Sequence, residues 1–376
     1  MSSPFKEIEQ FLYANEHISE TVQYQKALGK KIVGVLPIYA PVELVHAAGL
    51  FPVGCWGGQI PIQKAREYLP PFGCSILQSI TEMAANGTYH CLDALLISTP
   101  CDTLRCSGQN LKSALPTARP IFCIAPTNSK AECAVTYYVS ELKRTGAELE
   151  DLSGRPLTAE AINASIALYN ENRQALCQCA ALMAERPGLC SAVERHAVMR
   201  SRLYMDIEEH TALVKSLNLA LASTPAPSFQ GKKIFLAGIT AEPNWLLEIL
   251  DDLGLAVVGD ELAQEWRQIA TPVPDGFDPW ERLARQHQNR TACSLILDGK
   301  RSRTHSIAER ASALQADGVL YCQMKFCDPE EQDYPSVKNA LSHQGIPVLN
   351  LEIDQNSNFA EPCRTRLQAF LDVLER

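Results

Sequence analysis

LDALLISTPCD (residues 92–102) and ADGVLYCQMKFCD (residues 316–328) decide how this chain is read. Each opens as an apolar run of Leu, Ile and Val too short for a helix, and each closes on Cys-Asp, at Cys101-Asp102 and Cys327-Asp328. Near-continuous hydrophobicity over about 5–8 residues, with helical patterns on either side, marks parallel strands covered on both faces. The same signature recurs in KKIVGVLP (30–37), RPIFCIAP (119–126), KKIFLAGI (232–239), LAVVGDE (255–261) and IPVLNLEID (346–354). These runs fall into two zones. Between them, from about residue 131 to 230, heptad-like apolar spacing and abundant Ala, Leu and Glu predict long helices.

The predicted fold class is α/β, with two Rossmann-like parallel-sheet domains related by internal duplication and a helical segment between them. Residues 1–130 form the first α/β domain, 131–230 the helical segment and linker, and 231–376 the second α/β domain. STPAPSFQGKK (223–233) reads as the linker. The duplication rests on three matches in the same order. GKKIVGV at Gly29 matches GKKIFLAG at Gly231, GLFPVG at Gly49 matches GLAVVG at Gly254, and the Cys-Asp pairs lie 226 residues apart.

The 376 residues carry a net charge of −9, which argues against a nucleic-acid partner, because such binding draws on clustered Lys and Arg. No run of about 18 apolar residues occurs, so no membrane partner is expected and the location is read as cytoplasmic. Fourteen cysteines need a reason in a reducing compartment. Cys91, Cys123, Cys177, Cys179 and Cys190 sit in apolar stretches and read as small buried hydrophobes. No C-x-x-C pair occurs, so no zinc ribbon is signalled.

Ligands of open parallel sheets collect beyond the carboxyl ends of the strands, where Cys101 and Cys327 fall. Facing domains would bring these thiols to one cleft. Cys74, in LPPFGCSILQS (69–79), is a third candidate, near the start of a predicted helix whose N-terminus favours thiolate. Three thiolates around one pocket suit an iron–sulfur cluster with an open position better than structural zinc. Competing thiols are Cys106, Cys55 and Cys322, the last inside a strand and read as core.

PIYAPVELVHAAGLFPVG (37–54), FGCSILQS (72–79), STPCDTLRCSGQNLK (98–112), DGVLYCQMKFCDPEEQDYP (317–335) and GIPVLNLEID (345–354) carry a family resemblance. With them the chain resembles the iron–sulfur subunits of the 2-hydroxyacyl-CoA dehydratase / benzoyl-CoA reductase family, and in particular the smaller, beta-type dehydratase subunit. The resemblance implies a heterodimer with a homologous second subunit, an acyl-CoA substrate, and a [4Fe-4S] cluster held by Cys74, Cys101 and Cys327. It also implies water elimination from an (R)-2-hydroxyacyl-CoA through a ketyl radical, with the electron coming from a separate ATP-dependent iron–sulfur activator. A benzoyl-CoA reductase-type subunit and a non-catalytic electron-relay subunit are the alternatives. The chain itself has neither GxxxxGK[ST] nor GxGxxG, in keeping with ATP hydrolysis elsewhere.

Glu43 and His46, in PVELVHAAG, are the candidate base and hydrogen-bond donor, with a helix-surface pair or cap as the plainer account. Asp102 and Asp328 are expected to be helix N-caps, or else to orient the cysteine loops. Lys300, Arg301 and Arg303 in DGKRSR (298–303) are either a solvated charge run or a contact for coenzyme A phosphates.

Overall fold

A computed structural model describes residues 4–127, 130–297, 301–356 and 359–375. Eight strands form two four-stranded sheets: β1 Ile32–Val35, β2 Phe51–Gly54, β3 Ala94–Ser98 and β4 Arg119–Cys123 in one, and β5 Lys232–Gly238, β6 Leu255–Leu262, β7 Gly318–Met324 and β8 Val348–Ile353 in the other. All pairings are parallel, and the orders are β2-β1-β3-β4 and β6-β5-β7-β8. The two sheets therefore share one topology strand for strand, and the fold is α/β with two Rossmann-like units, as the sequence pattern predicts.

Why these runs are strands is visible in their burial. Along β3, Leu95 and Ile97 enter one core cluster while Ala94 and Leu96 enter another. Along β7, Leu320, Cys322 and Met324 face one cluster and Val319 and Tyr321 the opposite one. Alternation with both faces buried is what a helix-covered parallel strand requires. The inner cluster draws Leu36, Phe51 and Leu95 from the first sheet and Leu236, Leu320 and Ile353 from the second, so the two sheets meet across a shared core. β2 is not among the apolar runs read as strands, and it carries Pro52. It lies at the sheet edge, where a missing backbone N–H costs no ladder bond.

The helices Glu132–Ser153, Ala159–Glu185, Ala192–Ser201 and Ile207–Ser223 fill the stretch between the sheets. The first helix of the chain, Lys6–Glu16, buries Ile8 and Phe11 against Leu176, Val198, Val214 and Leu217 of that helical layer. Charge ties the layer to the second sheet. Arg195 bonds Asp260 and Glu265, His196 Nδ1 lies 2.7 Å from Glu265 and Nε2 lies 3.7 Å from Glu242, and Arg200 Nε lies 2.7 Å from Glu242. All the carboxylates in this set are buried. No helix among the described residues is long and apolar enough to cross a membrane.

Candidate functional site

Each third strand ends three residues before a cysteine: Ser98 before Cys101 and Met324 before Cys327. Both cysteines are N-caps, of the helices Asp102–Ala114 and Asp328–His343. Cys74 is the N-cap of a third helix, Ser75–Asn86. The structure brings all three together on one cavity of about 670 Å3, which also holds Asp102, Cys293, Arg301, Arg303 and Asp328 in its lining. A small apolar recess of about 60 Å3, walled by Ile38, Trp56, Ile76, Leu104, Ile239 and Met324, touches the same three cysteines.

The expectation that Asp102 and Asp328 cap these helices is off by one residue. The cap in each case is the cysteine, and Cys101 Sγ accepts the Leu104 N–H at 3.5 Å. The aspartates occupy the first helical position, exposed, where a negative charge complements the partial positive charge of the helix N-terminus.

Burial opposes the helix ends. It pushes the Cys101 thiol up to about 11, raises Cys74, and lifts Cys327 well above the usual thiol range, with Glu330 and the neighbouring Cys74 and Cys101 adding to the last. Unliganded, the three are thiols. Metal binding must displace their protons, and the anionic product then gains from three helix N-termini at once. Among the described residues no three His, Cys, Asp or Glu side chains are grouped to hold a single metal ion.

The loops are fixed from behind. Ser75 Oγ donates to Met324 Sδ at 2.8 Å and accepts the Gln355 backbone N–H at 3.2 Å, so the second unit grips the helix start beside Cys74. Behind Cys327, Glu330 is fully buried. It accepts from Arg303 Nη2 at 2.7 Å, Arg267 Nη2 at 3.1 Å, Tyr321 OH at 2.7 Å and Ser294 Oγ at 2.7 Å. Burial alone would raise its carboxyl, but Arg303 and Arg267 override it and hold Glu330 down at about 2.

The remaining sequence candidates lie elsewhere. Glu43 is buried in an ion pair with Arg173, and His46 Nδ1 lies 3.1 Å from Ser165 Oγ on the Ala159–Glu185 helix, its Nε2 3.6 Å from Glu208. Neither lines the cysteine cavity. Neither is a helix-surface pair, since their partners are on other elements. Arg303 is committed to Glu261, Glu330 and Asp333, which removes it as a free phosphate contact. Arg301 lines the cavity and donates to Ser336 Oγ, while Lys300 lies outside the described residues. Cys106 is exposed on the Asp102–Ala114 helix, and Cys55 and Cys322 are buried. Cys293 was not singled out from the sequence. It joins the cavity through an irregular segment, with Arg267 Nη1 3.7 Å away, and no periodic signal marks it.

The model of the 2-hydroxyglutaryl-CoA dehydratase, D-component, matches residues 37–374. The chain belongs to this family. It is 41% identical to the lactoyl-CoA dehydratase subunit beta of Anaerotignum propionicum over 93% of this chain and 94% of that protein. It is 38% identical to the (R)-phenyllactyl-CoA dehydratase beta subunit of Clostridium sporogenes over 96% of this chain and 95% of that one. Against the (R)-2-hydroxyglutaryl-CoA dehydratase subunit beta of Acidaminococcus fermentans the identity is 33% over 98% of both.

Proposed function

We propose that this chain is the beta-type subunit of an (R)-2-hydroxyacyl-CoA dehydratase and that Cys74, Cys101 and Cys327 hold a [4Fe-4S] cluster. The observation that carries this is the convergence of three cysteine N-caps, from both units of the duplication, on one cavity. Thiolates are the donors such clusters take. When bound, the cluster supplies a one-electron donor for a substrate whose β-hydrogen is too weakly acidic for an ordinary base.

The chain's own contribution is to the environment. Apolar walls at Ile38, Trp56, Leu104 and Met324 keep water from one side of the trio. The helix ends favour the thiolate form once metal displaces the protons, and the Glu330 network keeps the Cys327 loop from shifting. Glu43 and His46 are given no proton-transfer role. The partners in this reading are a homologous second subunit, an ATP-dependent iron–sulfur activator and the acyl-CoA substrate, and the protein acts in the anaerobic cytoplasm.

Coexpressed with its partner, purified without oxygen and supplied with activator, ATP and reductant, the complex is expected to convert a 2-hydroxyacyl-CoA to the enoyl-CoA. Turnover of benzoyl-CoA to a cyclic diene, with no enoyl-CoA from any hydroxyacyl-CoA offered, would contradict the reading.

A further inference from the structure

Pro37, Ile38 and Trp56 wall the apolar recess beside the cysteines, and their other side bounds a second cavity of about 50 Å3 at the carboxyl ends of β1 and β2. That volume holds a few atoms and is well above the minimum for one water. Its charged lining is lopsided. Among the described residues it contains three guanidiniums, Arg173, Arg202 and Arg290, and one carboxylate, Glu43.

Glu43 is spent on Arg173, which also donates to Asn170 Oδ1 at 3.0 Å. Among the described residues the Arg290 side chain bonds only neutral groups: it donates to Gln286 Oε1 at 3.3 Å and to His287 Nδ1 at 3.2 Å, and lies over the Tyr39 ring at 4.2 Å. His287 must be neutral to accept there, because its Nε2 meets the Pro126 carbonyl at 2.8 Å. Burial, then the charge of Arg290, takes His287 down to about 3.

Arg202 is the exposed flaw in this arrangement. Its Nε and Nη1 are sealed from solvent with no hydrogen-bond partner among the described residues, as is Nε of Arg173. Burial and the repulsion of Arg173 bring the Arg202 guanidinium down to about 10. Two guanidiniums in excess of the one carboxylate line the cavity, Arg202 and Arg290 both half-buried, and such an excess costs stability unless a negative charge enters. Leu36, Leu142, Leu203 and Leu283 supply the rest of the wall, which fits an anion with a short hydrocarbon end better than a fully hydrated one.

We propose that this cavity binds a short-chain monocarboxylate, with the carboxylate on Arg202 and the alkyl end on the leucine wall. It is separate from the cysteine site, and it does not rest on the dehydratase reading. An occupant would bear on the 37–39 loop, whose far side walls the cysteine recess.

The test is thermal unfolding of the purified full complex in acetate and propionate, with chloride and inorganic phosphate as the other arms, at constant ionic strength set by a bulky sulfonate buffer. The expected result is a saturable rise of a few degrees in the midpoint with acetate and propionate, and little or none with chloride or phosphate. Arg202→Met should lose that response and, without any carboxylate, unfold above the wild type, because it removes an uncompensated charge. Arg202→Lys should keep a weakened response. A flat response in the wild type, an equal response to chloride, or an undiminished response in Arg202→Met would overturn the proposal.

Discussion

The two sheets share strand order and place a cysteine at the same step after the third strand, yet they secure that cysteine differently. Three residues beyond Cys101 stands Leu104, 8% exposed and packed into the core. Three residues beyond Cys327 stands Glu330, 0% exposed and clamped by Arg267 and Arg303. The helix before each third strand also differs at its cap: Cys74 in the first unit, Arg301 in the second. The two units thus share backbone positions while their side chains differ. One unit gives two thiols on an apolar support, and the other gives one thiol on an ionic support beside an arginine.

The difference predicts opposite tolerances. Glu330→Leu, apolar like its counterpart, should still destabilise by about 3–5 kcal/mol, since it leaves two buried guanidiniums short of a partner. Leu104→Met should be nearly neutral, and Leu104→Ala should cost about 2–5 kcal/mol, toward the low end because it borders the cavity. Denaturant unfolding checks both. Equal tolerance of Leu at both positions would erase the contrast.

A smaller effect is expected at Gly238, where β5 ends. Its φ is 136°, and an added Cβ would stand 2.2 Å from the Cys322 carbonyl oxygen. Gly238→Ala should therefore cost about 1–3 kcal/mol. β1 ends at Val35 without such a glycine, so this constraint belongs to the second unit alone.

The second unit is also the one tied to the helices by ionisable groups, and pH should reveal it. Burial would lower His196, but Glu242 and Glu265 outweigh it and bring it up to about 9, against 6.5 when unfolded. A raised histidine stabilises fully below 6.5, and the gain is lost as pH climbs through 9. Glu242 is held at about 2 against 4.5 by Arg200 and His196 despite its burial, so its contribution is present above 4.5 and fades as pH falls through 2. Stability from this contact should peak between about 4.5 and 6.5. His196→Gln should flatten the decline in unfolding midpoint from pH 6.5 to 9; an unchanged slope would show the contact carries no such linkage.

The least effect is expected where the units agree. Asp102→Asn and Asp328→Asn each remove an exposed negative charge from a helix start and should cost about 0.3–1 kcal/mol, alike in both units and less at high salt.

Much of this was legible in the sequence because it is local. Unbroken apolar runs identify buried parallel strands, and the repeated Cys-Asp endings mark equivalent strand ends. What escaped depends on partners distant in the chain. Nothing near Glu43 announces Arg173, and nothing near Arg303 announces Glu261 and Glu330. Asp is a common cap, yet here the cysteine one residue earlier holds that position in both units. Cys293 lacks any periodic context, so only folding reveals its place.

On the proposed function, the two units together hold one cluster. The most direct test is iron and acid-labile sulfide in the oxygen-free complex. Cys74→Ala, Cys101→Ala and Cys327→Ala should each lose about four irons relative to wild type, and Cys179→Ala, a core substitution, should lose none. Full iron and sulfide in all three cysteine variants would contradict the account.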